Sequence, residues 1–271
     1  MNRTKASKLG QETVRILEAG SYTNLDGEVV AIRHLLDRSV VGVRSFPPDF
    51  ELLPVAPGTK ETQFEVRNET TLAAARRLVE QGYRPVALNF ASAKHPGGGF
   101  LSGAMAQEES LARSSGLYAS IAGNPMYEFH RVQHDPFYSN YAIYSPDVPV
   151  IRDDLGLLLP EPYLCSMITS PAVNAGEVLR RNWNAHSRIW EEMRLRIGKV
   201  LAIAALQNHE ALVLGAWGCG VFGNDCREVA DLFHAALAGE YRGVFARVVF
   251  AILDWSESQH FIAPFAAVFK T

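Results

Sequence analysis

From residue 64 onward, short apolar runs alternate with helical periodicities, a pattern that few architectures accommodate. Phe64 to Asn68 reads as a strand. Thr71 caps a helix, LAAARRLVEQ, that stops at Gly82, and Pro85 to Phe90 is a short buried strand. Farther on, Leu164 to Thr169 reads as a strand, and Ile189, Met193, Ile197, Val200, Leu201 and Ala204 form a helical stripe. Val213 and Leu214 lie in another strand. Val229, Leu232, Phe233, Ala236 and Leu237 mark a helix, and Arg247 to Leu253 is a strongly apolar strand. Strands alternating with helices predict an α/β fold with a largely parallel or mixed sheet.

The first 62 residues read differently. Leu9, Thr13, Ile16 and Leu17 sit at helical spacing and stop at Gly20, predicting a short amphipathic helix over 9–20. Asn24-Leu25-Asp26-Gly27 is turn chemistry ahead of the β-branched run Glu28 to Arg33. Ser45 to Thr62 carries four prolines and reads as a surface connection. No linker divides the chain, and 271 residues at 48% hydrophobic composition suffice for one large core. The expectation is one domain over 1–271, with 1–62 as its N-terminal extension.

Ligands of open α/β sheets bind beyond the carboxyl ends of the strands. Two loops of that kind stand out. The first, NFASAKHPGGGFLSGAMAQEES, leaves the strand ending near Asn89 and holds Gly97, Gly98 and Gly99, then Gln107, Glu108 and Glu109. Consecutive glycines let backbone approach a ligand closely, although such a run can also be a plain flexible turn. Adjacent helical residues point roughly 100° apart, so Glu108 and Glu109 are not the opposed carboxylates of an ordinary glycosidase. One could serve as general acid and base while the other holds hydroxyls; a solvated first helical turn is the plainer alternative. A helix N-terminus favours the carboxylate, so a general acid here needs burial or a ligand anion to keep its proton.

The second loop, LGAWGCGVFGND, holds Gly215, Gly218, Gly220 and Gly223 between a strand and a helix starting near Asp225. Successive amides ahead of a helix N-terminus suit a diphosphate, and tight strand–helix packing is the alternative. Residues 218–223 also match the dinucleotide fingerprint G-x-G-x-x-G. That motif expects an acid about 20 residues on, whereas the candidate, Asp254, lies 31 residues after Gly223. A dinucleotide-dependent dehydrogenase is a poor match. Cys219 has no His nearby in sequence to activate it as a nucleophile.

Lys plus Arg total 26 against 29 Asp plus Glu, a formal charge of −3, so a polyanionic ligand must be held by a local site rather than a basic surface. Duplex nucleic acid is not an expected partner. Three dispersed cysteines, Cys165, Cys219 and Cys226, form no disulfide framework and suggest a reducing, cytoplasmic setting. No apolar run is long enough to span a membrane. No CxxC or HExxH arrangement indicates a metal site. Lys94, His95 and Arg113 flank the first loop and could attract a polyphosphate, with solvated side chains the plainer reading; Tyr138, Tyr141 and Tyr144 read as packing rather than a stacking platform, and Trp183 and Trp190 as core or rim. Phe261, after the last strand, could stack on a base.

The string GGGFLSGAMAQEE, three glycines, seven residues and then Gln-Glu-Glu, resembles the signature of poly(ADP-ribose) glycohydrolases. The flanking VALNFASAKHPGGG and EESLARSSGLYASI are similar to the bacterial type, and the resemblance covers most of the chain, including QETVRILEAGSY. It implies a three-layer α/β/α macrodomain-like fold with a mixed central sheet and an N-terminal helical extension. It implies hydrolysis of ribose–ribose O-glycosidic bonds without metal or redox cofactor. Glu109 then becomes the catalytic acid/base, and Glu108 the residue that orients ribose hydroxyls. Asn89 contacts the terminal ribose, Gly97 to Gly99 line that ribose and the diphosphate, and Gln107 positions. GAWGCGVFGN resembles the diphosphate-binding loop, which places Gly218, Cys219, Gly220 and Val221 around the diphosphate and Phe222 against the ribose. Poly(ADP-ribose), ADP-ribose and ADP-ribosylated proteins become the implied partners, and the DNA damage response the implied setting. An ADP-ribose reader without catalysis, or a glycohydrolase for mono-ADP-ribosyl linkages, stays open as the alternative.

Overall fold

The computed structural model describes residues 1–51 and 53–270. Helix α1 (Arg3–Ala19) starts where the Asn2 side chain accepts from Lys5 N and ends at Gly20, whose φ of 72° forms a left-handed cap. The helix therefore begins a turn and a half earlier than the apolar spacing shows. A small hairpin follows, β1 (Ser21–Thr23) with β2 (Val29–Ala31), and then helix α2 (Arg33–Val41). Residues 45–62 are not wholly a connection, because Ser45 and Phe46 belong to β3 (Arg44–Phe46), an edge strand antiparallel to the later β6. Within that stretch, residue 52 lies outside the described residues.

The alternating region forms as its pattern predicts. Strand β4 (Gln63–Arg67) leads to α3 (Thr71–Glu80), and the cap is Thr70, whose side chain accepts from Ala73 N, rather than Thr71. Strand β5 (Pro85–Phe90) is followed by α4 (Gln107–Ser114), α5 (Leu117–Ile121) and α6 (Pro125–Gln133). A long hairpin, β6 (Ala142–Arg152) and β7 (Leu158–Ser170), extends well beyond the expected 164–169. Helices α7 (Ala175–Arg181) and α8 (His186–Leu206) precede β8 (Ala211–Leu214), and α9 (Cys226–Ala238) leads through β9 (Arg247–Ala251) to α10 (Ala263–Phe269).

Seven strands make one mixed sheet in the order β3-β6-β7-β5-β8-β9-β4. Strands β7, β5, β8, β9 and β4 run parallel, and at one edge β6 joins β7, and β3 joins β6, by antiparallel pairing. Alternate residues enter opposite layers. Val86, Leu88, Leu212, Leu214, Val248 and Phe250 pack with α8, α9 and α10, whereas Ala87, Val213 and Val249 face Leu72, Leu78 and Leu111. A third cluster, with Ile16, Leu17, Tyr22, Ile32 and Leu36, ties the N-terminal helices to Ile151. The parallel strands deliver the loops after β5 and β8, which are neighbours, to the same edge of the sheet.

Candidate active site

A cleft of about 1110 Å³ opens at that edge, lined by residues of both loops. Gln107 ties α4 to β5: its Oε1 accepts from Phe90 N at 2.9 Å, and its Nε2 donates to Leu88 O at 2.8 Å and Thr71 Oγ1 at 3.1 Å. That anchoring fixes the start of a helix whose N-cap, Ala106, offers no side-chain acceptor.

Glu108 points back toward the sheet. Its Oε2 accepts from Ser92 N at 2.6 Å, and Asn89 Nδ2 lies 3.4 Å from Oε1. Glu109 turns to the glycine loop, where Gly99 N donates to its Oε1 at 2.9 Å. The two side chains diverge as adjacent helical residues should, yet both border one gap. Gly98 has φ +58°, and a Cβ there would collide with Glu109 Oε1 and stand 3.1 Å from Glu108 Oε2. Only a glycine leaves that space open.

Both carboxyl groups are buried, so they are not a solvated first turn. Burial pushes the Glu108 carboxyl up to about 8, and the charge of Glu109 adds to the rise against the donors at Ser92 and Asn89. Glu109 Oε2 and Asn89 Oδ1 are buried with no partner among the described residues. Orphaned acceptors of this kind are rare in folded proteins, and a bound hydroxyl would satisfy them. Asn89 itself stands behind Glu108, also donating to Thr169 Oγ1 at 3.2 Å.

Arg113 corrects the expectation of a solvated cation. It is buried, donating to Ala104 O at 2.7 Å and Ser110 Oγ at 3.1 Å, behind the same loop. Burial lowers its pKa, against the charge of Glu109. His95 is exposed and Lys94 half-buried on the cleft wall.

The second loop presents backbone. Gly218 has φ +76°, Gly220 has no neighbour within 4 Å of an added Cβ, and Val221 is 94% exposed. Cys219 turns its thiol inward, toward Trp217 O at 3.7 Å, so only its backbone faces the loop. The loop is held from below by Asn224, whose Nδ2 donates to Val173 O at 2.8 Å and Gly218 O at 3.0 Å. Asp225 caps α9 by accepting from Arg227 N and Glu228 N. Gly218, Gly220, Val221 and Phe222 line the cleft together with Gln107, Glu108 and Glu109. Asn89, Gly97 to Gly99 and Cys219 are not among the residues that line it.

Sequence reasoning missed three residues. Tyr138 lies on the cleft wall with φ +56°, its ring 5.9 Å from that of Phe222. A bulky residue in left-handed backbone is costly, and no sequence signal announces it. Asn224 was legible as an Asn-Asp pair closing a glycine loop. Trp255, a lone tryptophan just beyond the last strand, stands 85% exposed beside Phe261 on the same wall. Trp183, by contrast, is a surface residue at 75% exposure, not core.

Among the described residues, no group of three or more His, Cys, Asp or Glu side chains could hold a metal ion. Nor is any helix there long and apolar enough to cross a membrane.

Sheet order, parallel centre and two strand-end loops around one cleft define a macrodomain-like α/β protein, and the buried carboxylates equip it for acid–base chemistry. Comparison with known proteins gives the particular family. Residues 10–153 match the family described as microbial-type PARG, catalytic domain. The chain is similar over 98% of its length to all of the poly(ADP-ribose) glycohydrolase (PARG) from Thermomonospora curvata, at 48% identity and TM-score 0.92. The same enzyme bound to the inhibitor ADP-HPD superimposes at TM-score 0.90, with 48% identity, over 98% of this chain and 99% of that one. The Deinococcus radiodurans PARG in complex with ADP-ribose matches at 44% identity and TM-score 0.83, over 87% of this chain and 97% of that one. A search of curated proteins gave no match. The chain belongs to the microbial-type poly(ADP-ribose) glycohydrolases.

Proposed function

We propose that this chain releases ADP-ribose from poly(ADP-ribose) with Glu109 as both acid and base. The observation that carries the assignment is the asymmetry of that carboxyl group. Gly99 N–H fixes Oε1, while Oε2 is buried and unpartnered. Burial favours the protonated form of Glu108, but Ser92 N and Asn89 hold its carboxyl back toward the sheet, a position suited to orienting a hydroxyl. A general acid must first reach its target, so geometry favours Glu109.

In this mechanism the neutral amides of 218–222 hold the diphosphate and Phe222 orients the terminal ribose. Glu109 gives its proton to the leaving ribose oxygen as the bond to the anomeric carbon breaks toward an oxocarbenium ion. The negative charge of the nearby diphosphate stabilises that cation. Water then attacks the anomeric carbon and Glu109 takes its proton, which restores the acid. Glu108 and Asn89 hold ribose hydroxyls.

The same reading treats residues 1–271 as one catalytic domain with 1–62 as its extension. It places the protein in the cytoplasm, supported by three free, buried thiols, with ADP-ribosylated proteins as partners and the DNA damage response as setting. The test compares wild type with Glu109→Gln on poly(ADP-ribose). Wild type releases ADP-ribose and the variant loses about 10²–10⁴-fold in rate. A variant at the wild-type rate refutes the mechanism, and a wild type that binds ADP-ribose but leaves the polymer intact is a reader.

A further inference from the structure

Helix α1 lies along the glycine loop that precedes Glu109 and grips it at successive turns. Arg3 Nε donates to Ser102 O at 3.1 Å and Ser7 Oγ to Leu101 O at 2.6 Å. Nearly two turns farther on, Thr13 Oγ1 donates to Arg113 O of α4 at 2.5 Å. Between these contacts, Gly10 sits in the helix interior, where glycine is disfavoured relative to alanine. Its steric reason is plain. A Cβ at Gly10 would stand 2.8 Å from Phe100 O and 3.1 Å from Phe100 Cδ2, tighter than the loop can accept without moving. Gly198, inside α8, has nothing within 4 Å of an added Cβ and shows what an unconstrained helix glycine looks like.

The contact leads straight to the carboxylate. Phe100 is buried and directly follows Gly99, whose N–H fixes Glu109 Oε1. Its ring also packs under Gly97, where an added Cβ would be 3.0 Å from Phe100 Cδ1. The loop therefore lies between α1 on one side and the two glutamates on the other. Displacing residue 100 displaces the donor that aims Glu109.

We propose that α1 is a template for the catalytic loop and that Gly10 is a positioning residue for Glu109, acting through Phe100 and Gly99. The inference rests on the reading of Glu109 as the acid. The three nearest atoms to a Cβ at Gly10 all belong to Phe100, so the disturbance is directed at the loop of Glu109 and not at the diphosphate loop.

The experiment measures kcat on poly(ADP-ribose) and the Kd for ADP-ribose in Gly10→Ala, with Gly198→Ala as control. A shift of a few tenths of an ångström at a reacting group predicts a kcat loss of about ten-fold or more. Kd stays within about two-fold, and Gly198→Ala matches wild type in both. The double variant Arg3→Ala, Ser7→Ala removes two exposed hydrogen bonds without adding volume, and it carries the test if Gly10→Ala does not fold. It is expected to lower kcat several-fold at unchanged Kd. Wild-type kcat in the folded variants, or kcat and affinity falling together, overturns the proposal. Glu109→Gln in the same series separates the two levels. If it turns over normally, the acid assignment fails; if it is inactive while Gly10→Ala is fully active, only the template fails.

Discussion

The two glycine loops reach one cleft from neighbouring strands, β5 and β8, yet they are built in opposite ways. The loop after β5 is pinned through side chains. Gln107 binds Phe90 and Leu88, Glu108 binds Ser92, Glu109 binds Gly99, and α1 presses from outside. The loop after β8 is held from beneath by Asn224 and Asp225 and at its far end by Gly176 N–H, which donates to Phe222 O, and its rim at Gly220 and Val221 stands free. A group that moves protons needs a fixed position to a fraction of an ångström. A diphosphate, whose charge is spread over several oxygens, needs only convergent amides. Rigidity and charge belong to the first loop, and accessible neutral backbone to the second.

This division can be broken from either side. The largest effect is expected for Glu109→Gln, which should cost about 10²–10⁴-fold in rate with little change in ADP-ribose affinity. Next comes Gly218→Ala. Its Cβ would meet Ala172 Cβ at 2.6 Å and Asn224 Nδ2 at 2.5 Å, on left-handed backbone that alanine resists. Affinity for ADP-ribose, read by calorimetry, should fall about ten-fold or more, because one misplaced amide costs a charge-assisted hydrogen bond. Asn224→Ala removes the support from below and leaves Val173 O short of its donor, while Gly218 O keeps the backbone N–H of residue 224, at a cost of about 1–3 kcal/mol. Thermal unfolding should show it as a melting temperature several degrees lower.

A separate expected effect is on pH dependence. The Glu108 carboxyl is pushed up to about 8 by burial. The native state thus retains a proton that the unfolded chain releases above the ordinary carboxylate range. Native stability must then fall as pH rises toward about 8 and level off beyond it. Glu108→Gln should flatten that part of the curve, so its melting temperature changes less than that of wild type between about pH 5 and about pH 8.5. An equally steep curve in the variant would mean that Glu108 is ionised in the native protein.

How far the sequence reveals this arrangement depends on the range of the forces involved. The strands β5, β8 and β9 and helix α9 follow from apolar periodicity and an Asp cap, signals contained within a few residues. Gly20 likewise ends α1 as expected. Strand β3 escapes because three residues cannot show a period, and its burial at Phe46 comes from β6, about a hundred residues away. Thr70 and Thr71 are equally good caps on paper, and only the backbone at residue 70 decides between them. In the site, the glycines and the Gln-Glu-Glu triplet are legible as a pattern. The burial of Glu108, Glu109 and Arg113 is not, because α1 and β5 create it from distant parts of the chain. Tyr138 is hidden for the same reason. Its backbone strain and its contact with Phe222 are properties of the assembled loop.

The most direct test measures, in one preparation of each variant, the Kd for ADP-ribose and the single-turnover rate on saturating poly(ADP-ribose). Two loops with separate tasks predict a crossed result. Glu109→Gln keeps its affinity and loses the rate, whereas Gly218→Ala loses affinity and keeps most of the rate at saturation. If rate and affinity fall together in both variants, holding and chemistry are one inseparable function, and the division of labour between the loops is wrong.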